Sequence, residues 1–466
     1  MTLLDRDLIG DSRKAYFIGI GGVGMSALAR VLKHRGLEVV GSDSKESRTT
    51  RELTASGIPV FIGQQQIEFG NSDLVIYSSA IHPEHLELKT ARARGLKVHH
   101  RAEILSSLFN QAKTSVAITG THGKTTTTSM ISFVLSELGK SPTCLVGGNV
   151  LNLGTNTLLG NQELWVSEVD ESDQSHELYA PSYTVLTNLE EDHLDHYRDL
   201  EDIHSSFARF LANARNPGLI VYSEEDPALR RLVISSGKPH LSFGFSSSAD
   251  FSAQNIERSF FGSEFDLYET GVYAARMSLS VPGLHNIANA LAAIAILMQL
   301  GLAPEEIREP LSRFRGAGRR LEIKWESADL VVIDDYAHHP TEVQASLKAL
   351  NGTGRHVTAI FQPHRFSRTQ HFFKQFGRAF EAADEVILTD IYSAGEKNTE
   401  NIGVDLIYRQ VVESGHPSVQ IVAKEKIIDH LLNRSQLNGI VAFLGAGDIG
   451  EIADEFANRF KSLATA

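Results

Sequence analysis

A single cysteine, Cys144, stands in a chain of 466 residues, so no disulfide can form within it. Residues 141–147 around it hold no histidine or acidic side chain, which excludes a local cysteine-based metal site and leaves a reducing compartment as the fitting one. No run of about 18 apolar residues occurs, excluding a membrane-spanning helix. The opening MTLLDRDLIGDSRK lacks the apolar stretch of a signal peptide. We therefore expect neither an export signal nor an anchor, and expect the protein in the cytoplasm, without stable membrane association. Positive charge is also short: 44 Lys and Arg against 57 Asp and Glu give a net charge of −13. That balance repels polyanions and excludes nucleic acid as a default partner, so any phosphate must be held locally.

What is present is the composition of a folded globular chain, with 42% apolar and 22% charged residues, which rules out wholesale disorder. At roughly 100 to 200 residues per domain the length predicts about three domains. An apolar run at Tyr16 to Ile20, a glycine-rich turn, a helical stretch to about Arg35 and a second run at Glu38 to Val40 read as a βαβ unit. Further runs at Leu74 to Tyr77, Val116 to Ile118, Leu164 to Val166 and Val185 to Leu186 alternate with amphipathic segments. The class is therefore α/β, with mostly parallel sheets covered by helices. From Asp250 to Pro282 the pattern becomes that of a small antiparallel insert of three strands. Helices follow at Leu284 to Leu300 and Pro304 to Phe314. One domain boundary is expected near residues 108–114 and another in the glycine- and arginine-rich link 315–320, giving domains at 1–110, 111–317 and 318–466.

Three glycine loops stand out. Gly19, Gly21 and Gly24 form G-x-G-x-x-G, with Gly22 between them and Asp43 at the end of the next strand. Such a loop brings backbone amides and a helix N-terminus to a pyrophosphate. Read alone it is a NAD-type site or a tight structural turn. The second loop, Gly120-Thr121-His122-Gly123-Lys124-Thr125, follows a strand and opens a helix. It departs from the full phosphate-loop string because Ile118 stands where the first glycine would be. The chemistry survives: amides at the turn, Lys124 for the β- and γ-phosphates of ATP, and the Thr125 hydroxyl for Mg²⁺. The third, Gly445 to Gly450, reads as a βα turn and is assigned no ligand.

Two acidic clusters follow strands of the same region, Glu168 to Asp173 and Asn188 to His196. Ligands of α/β sheets gather at the carboxyl ends of strands, so both clusters converge on the phosphate loop's face. Zinc is the rival metal, but His99-His100 and His338-His339 are adjacent pairs and no spaced zinc pattern occurs. Oxygen-rich ligation favours Mg²⁺.

Seven motifs lie in order: GTHGKTTT from Gly120, EVDESD from Glu168, TNLEEDHLDH from Thr187, HNIAN from His285, GAGRR from Gly316, DDYAHHP from Asp334 and QPHRFSR from Gln362. Together they resemble the Mur ligases over nearly the whole chain, and most of all the branch that attaches alanine. The resemblance implies an N-terminal Rossmann-like domain for a UDP-sugar, a central P-loop ATPase domain and a C-terminal Rossmann-like domain for the amino acid. The substrates would be UDP-N-acetylmuramate and L-alanine, with ATP and Mg²⁺. Gly19, Gly21, Gly22, Gly24, Asp43 and Ser79 would then hold the UDP-sugar rather than NAD. Gly120, Thr121, His122, Gly123, Lys124, Thr125, Thr126, Asn286, Asn289, Arg319 and Asp335 would bind ATP, the asparagines at adenine and Asp335 at the ribose. Thr125, Glu168 and His193 would hold the metal, and Lys124, Glu168, His193 and Arg319 would form the catalytic set. Tyr336, His338, His364, Arg365 and Arg368 would receive alanine, whose carboxylate suits an arginine fork.

Relatives that add later amino acids carry a carbamylated lysine soon after the histidine motif. Ser205 to Phe210 offers no lysine there. A ligase that recycles a tripeptide onto the same sugar nucleotide is the near alternative. A NAD-dependent oxidoreductase and a non-enzymatic nucleotide-binding regulator are the alternatives of other classes.

Overall fold

The structure of the protein is a computed structural model that describes residues 7–63, 69–192, 196–215, 218–259, 262–434 and 437–464. Packing divides the chain into two compact units. The first is residues 1–254, 267–275 and 288–311; the second is 255–266, 276–287 and 312–466.

The chain opens with β1 (Lys14–Ile18), α1 (Val23–His34) and β2 (Glu38–Asp43). They are the βαβ unit that the apolar spacing predicts. Then come α2 (Arg48–Ala55), β3 (Val60–Ile62), β4 (Leu74–Tyr77), α3 (Leu86–Ala93), β5 (Lys97–His100) and α4 (Arg101–Asn110). The five strands form one parallel sheet in the order β3-β2-β1-β4-β5. The order reverses beside β1, so a crevice opens at the carboxyl ends of β1 and β4, where ligands of such sheets sit. Four of the five β1 residues are buried, as a strand covered on both faces requires.

The second sheet begins with β6 (Thr114–Thr119), α5 (Lys124–Glu137), β7 (Thr143–Val150), β8 (Thr155–Leu158) and β9 (Leu164–Glu168). It continues through β10 (Tyr183–Leu186), α6 (Leu200–Asn213), β11 (Leu219–Ser223), α7 (Pro227–Ser235) and β12 (His240–Gly244). β13 (Phe251–Ser259), β14 (Gly262–Glu269) and β15 (Val272–Leu279) are the three strands expected as an insert, and they extend the edge of this ten-stranded sheet. Thr270 and Gly271 both have positive φ, the geometry of a two-residue hairpin turn. α8 (Leu284–Gln299) and α9 (Pro304–Ser312) follow. The strand order is β15-β14-β13-β12-β11-β10-β6-β9-β7-β8, so β6 lies between β10 and β9. That neighbourhood positions the site: the phosphate loop and both acidic clusters leave three adjacent parallel strands on one side.

α5 is buried from Thr125 to Leu135 although it starts with a run of threonines. Burial is tolerated because hydroxyls bond back one turn: Thr128 to the Lys124 carbonyl at 2.9 Å and Ser129 to the Thr125 carbonyl at 2.7 Å. One apolar cluster runs through both sheets of the first unit, from Phe17 and Leu28 to Trp165, Phe207 and Phe210.

The third sheet comprises β16 (Glu322–Glu326), β17 (Leu330–Asp335), α10 (Pro340–Asn351), β18 (Val357–Phe361), α11 (Phe366–Ala379) and β19 (Glu385–Leu388). α12 (Asp405–Glu413), β20 (Val419–Ile421), α13 (Ile427–Leu432), β21 (Gly439–Leu444) and α14 (Ile449–Ala464) complete it. The order is β16-β17-β21-β18-β19-β20, parallel except that β16 runs against β17. Along β17, Val331 and Ile333 enter one apolar cluster while Leu330 and Val332 enter another, so helices cover both faces. Among the described residues no helix is long and apolar enough to cross a membrane.

Candidate active site

The turn between β6 and α5 needs glycine where it bends most. Gly120 has φ +121° and Gly123 has φ +84°. A side chain at Gly123 would also meet the Asn289 Oδ1 at 2.3 Å. Asn188, just beyond β10, braces the loop from the side. Its carbonyl accepts the Thr121 amide at 3.0 Å, its Oδ1 accepts the His122 amide at 2.9 Å, and its Nδ2 donates to the His122 carbonyl at 3.1 Å. Thr121 answers by accepting the Glu190 amide at 2.8 Å. This cross-bracing explains how the loop holds its shape with Ile118 in place of a first glycine. His122 Nε2 lies 3.6 Å from a Glu190 carboxylate oxygen. Thr126 is buried in the first turn of α5.

Lys124 is folded back over the loop. Its Nζ donates to the Gly120 and Thr121 carbonyls at 2.5 and 3.2 Å and to both Glu171 oxygens at 2.9 and 3.0 Å. Burial opposes its charge, but Glu171, Asp170 and Glu168 outweigh that and raise its pKa, so it stays an ammonium. Tyr197 fixes the Glu171 backbone by donating to its carbonyl at 2.6 Å.

Glu168 ends β9 and faces the same turn. Its Oε1 accepts the Thr125 hydroxyl at 3.0 Å and its Oε2 accepts the Gly147 amide at 2.7 Å. A side chain at Gly147 would come within 2.4 Å of Oε2, so this glycine leaves the room that the carboxylate fills. Burial pushes the Glu168 carboxyl above the ordinary range, against the pull of Lys124, Gly147 and Thr125. A half-buried carboxylate beside a hydroxyl is an all-oxygen donor set that suits a hard divalent cation. His193, the third expected ligand, lies outside the described residues. Asn289, one turn beyond Asn286 on α8, accepts from the Thr127 hydroxyl at 3.4 Å. The Asn286 amide donates to the Pro282 carbonyl at 2.7 Å, and both asparagines are buried.

At the first loop the Gly19 and Ile20 amides donate to the Ser42 carbonyl, both at 2.9 Å, and the Gly21 amide donates to Asp43 Oδ2 at 2.8 Å. Gly22 is the N-cap of α1 and makes no side-chain cap. Asp43 thus braces the loop, and a NAD ribose would have to compete with that bond. Ser79, beyond β4, donates to Asp173 Oδ2 at 3.0 Å and lies 3.3 Å from His100 Nε2. His100 Nδ1 accepts the Ala102 amide at 3.3 Å, so the proton of a neutral ring sits on Nε2 and points at Ser79. Burial lowers the His100 pKa despite Asp173, which keeps that neutral form. Ser79 thereby ties the crevice at the end of β4 to the acidic motif that begins at Glu168.

In the second unit Arg319 adopts φ +57° and donates through Nε to Asp334 at 3.2 Å and through Nη2 to the Gly445 carbonyl at 2.6 Å. Burial pushes the Asp334 carboxyl up to about 6 in spite of Arg319. The guanidinium groups of Arg319 and Arg320 each lie 5.2 Å from the Tyr336 ring centre. Asp335 is buried, and it accepts from the Ala337 and Leu321 amides at 2.7 and 3.1 Å and from the Ser346 hydroxyl at 3.0 Å. In this arrangement it braces the linker. Tyr336, His338, His364 and Arg368 come together: ring centres are 5.3 Å apart for Tyr336 and His338 and 5.7 Å for His338 and His364, and Arg368 Nη1 is 3.1 Å from His364 Nδ1. Arg365, with φ +69°, donates its amide to Tyr392, whose ring stacks on His364. At the third glycine loop Gln362 accepts the Ile449 amide at 3.1 Å and donates to Asp448 at 2.7 Å.

Sequence reasoning singles out neither Glu171 nor Asn188, although both lie inside the quoted motifs. Their signal is the motif itself; which carboxylate meets Lys124 is decided by strand order.

Three family models match in succession: Mur ligase family, catalytic domain, at residues 14–113; Mur ligase middle domain at 118–297; and Mur ligase, glutamate ligase domain, at 319–447. The UDP-N-acetylmuramate–L-alanine ligase of Pelotomaculum thermopropionicum is 42% identical over 453 residues, 96% of this chain and 98% of its own. The protein of that name from Gloeobacter violaceus is 42% identical, with 97% of each chain covered. Among solved structures, the UDP-N-acetylmuramate–alanine ligase of Thermotoga maritima is similar with TM-score 0.81 and 31% identity, over 96% of this chain and 99% of that one. A murein peptide ligase from Psychrobacter arcticus shares the fold, with TM-score 0.70 and 22% identity over 97% and 98%.

Proposed function

The chain belongs to the Mur ligase family, and on that premise we propose how its own residues carry the family's chemistry. It is an ATP-dependent ligase that joins L-alanine to the lactyl carboxylate of UDP-N-acetylmuramate in peptidoglycan synthesis, with release of ADP and phosphate. Full-length identity to alanine ligases favours alanine over the tripeptide, since the peptide ligase is alike at the level of fold alone. The observation that carries the mechanism is Lys124 on the phosphate loop, beside Thr125 and Glu168 at the end of β9.

A carboxylate does not react with an amine unaided, because its oxygen leaves poorly and its charge repels nucleophiles. A lactyl oxygen attacks the γ-phosphorus, the bond to the β–γ bridging oxygen breaks, and an acyl phosphate and ADP result. Lys124 stabilises the negative charge spread over the transferring group. Glu171 holds that ammonium against the loop, and phosphate oxygens take over part of its hydrogen bonding when ATP binds. Thr125 and Glu168, joined by His193, would hold Mg²⁺, which when bound neutralises phosphate charge. The neutral amine of alanine then attacks the acyl carbon, phosphate departs, and the nitrogen loses a proton. Arg319 keeps its expected role toward the γ-phosphate, Asp335 toward the ribose, and Tyr336, His338, His364, Arg365 and Arg368 toward alanine. The domains are assigned as 1–110 for the sugar nucleotide, 111–317 for ATP and 318–466 for the amino acid. A cytoplasmic location is proposed because ATP and nucleotide sugars are found there.

The test is ADP release with UDP-N-acetylmuramate fixed and the amine varied. Release that depends on alanine is expected. Release that responds to the tripeptide and ignores alanine would make the protein the recycling ligase, and release indifferent to any amine would sink the reading.

A further inference from the structure

The first glycine loop poses an electrostatic problem. A diphosphate carries at least two negative charges, the chain as a whole carries −13, and residues 19–24 contain no basic side chain. Four of the loop's amides, those of Gly19, Ile20, Gly21 and Gly22, are already used inside the fold. Some other group must supply positive charge.

Arg101 is placed to do so. It opens α4 directly after β5, and β5 pairs with β4, which pairs with β1. The crevice lies at the carboxyl ends of β1 and β4, and the Arg101 side chain reaches past β4 to the first turn of α1. A Cβ added to Gly24 would meet Arg101 Nη1 at 2.2 Å, Cζ at 3.2 Å and Cδ at 3.3 Å. The third glycine of such a loop ordinarily serves helix–strand packing. Here it makes room for a guanidinium. Arg101 Nε is buried without a hydrogen-bond partner, and no ion pair to this side chain occurs among the described residues. A cation half withdrawn from water and lacking a counter-charge is costly, and a diphosphate oxygen at the glycine loop would relieve that cost. Arginine also presents a planar fork that fits two phosphate oxygens at once.

We propose that Arg101 is the cationic ligand of the diphosphate in UDP-N-acetylmuramate, and that Gly24 is glycine so that the guanidinium can lie against α1. The inference rests on the reading of residues 19–24 as the sugar-nucleotide site, and goes beyond it by naming the group that recognises the diphosphate.

Titration calorimetry with UDP and with uridine, on the wild type, Arg101→Gln and Arg101→Lys, tests it. UDP has the diphosphate and no carboxylate, so the lactyl group plays no part. Arg101→Gln should lose about 10- to 100-fold in UDP affinity, the range for hydrogen bonds to a charged group, while uridine affinity holds. In turnover, KM for UDP-N-acetylmuramate should rise by the same factor, with kcat within about threefold and KM for ATP unchanged. Arg101→Lys, which keeps the charge and loses the fork, should fall between, and serves if the glutamine variant does not fold. Equal UDP affinity in wild type and variants, or parallel losses for UDP and uridine, would overturn the assignment while the site reading stands. A wild type that binds neither would overturn both.

Discussion

Replacing Lys124 by alanine should damage the protein twice, and a second substitution separates the two injuries. The ammonium sits 2.9 and 3.0 Å from the two Glu171 oxygens, and the side chains are only 12% and 4% exposed. Removing one partner of a buried pair costs about 3–5 kcal/mol, because the other charge stays in a poorly solvated place. Lys124→Ala should therefore lower stability by that amount in urea unfolding. Adding Glu171→Gln removes the stranded charge, and the double variant should regain all but about 1–2 kcal/mol. Catalysis follows a different rule. Loss of a group that stabilises developing charge costs about 10²- to 10³-fold in kcat, and restoring the fold does not return it. ADP release in the presence of both substrates should thus stay depressed in the double variant. Recovery of turnover together with stability would refute the catalytic role of Lys124, and an unaltered urea midpoint in the single variant would refute the pairing.

Two further perturbations read other parts of the first unit. Gly147→Ala places a methyl group where Glu168 Oε2 lies 2.4 Å away, so the carboxylate must shift and the Mg²⁺ concentration for half-maximal activity should rise about 10- to 100-fold; an unchanged Mg²⁺ dependence would speak against Glu168 as a ligand. His176 is fully buried between Phe207 and Phe210, and burial depresses its pKa from 6.5 to about 4 even though Glu177, Asp170 and Asp173 oppose the shift. The unfolded chain binds this proton more readily, so stability is whole above pH 6.5 and drains away as pH falls toward about 4, by roughly 3 kcal/mol across that interval. His176→Gln should flatten that slope by about one proton, and an identical slope would contradict the buried neutral ring.

Much of the architecture is legible before any coordinates, because apolar runs such as Leu74 to Tyr77, Leu164 to Val166 and Gly439 to Leu444 are too short for helices and too apolar for exposed loops. Turn chemistry marks the phosphate loop, since Gly120 and Gly123 need positive φ that few other residues adopt. What the chain cannot show in one dimension is partnership across it. Glu168, Asp170 and Glu171 look alike in sequence; strand β9 beside β6 sends Glu171 to Lys124 and Glu168 to Thr125. Gly24 reads in sequence as part of a pyrophosphate loop, yet its neighbour is Arg101, far away along the chain. Asp43 reads as part of the UDP-sugar site, and the carboxylate's own partner, the Gly21 amide, shows only in three dimensions. The three strands from Phe251 to Leu279 read as a small antiparallel insert of the middle domain; that they carry on the edge of the large sheet is a matter of backbone pairing that alternation of side chains does not reveal.

The central claim is that ATP activates the lactyl carboxylate by making it an acyl phosphate. With both carboxylate oxygens of UDP-N-acetylmuramate labelled with ¹⁸O, one turnover with ATP and alanine should deliver one labelled oxygen to the released inorganic phosphate, read by mass spectrometry. Phosphate that carries no label, formed alongside the amide product, would contradict the account.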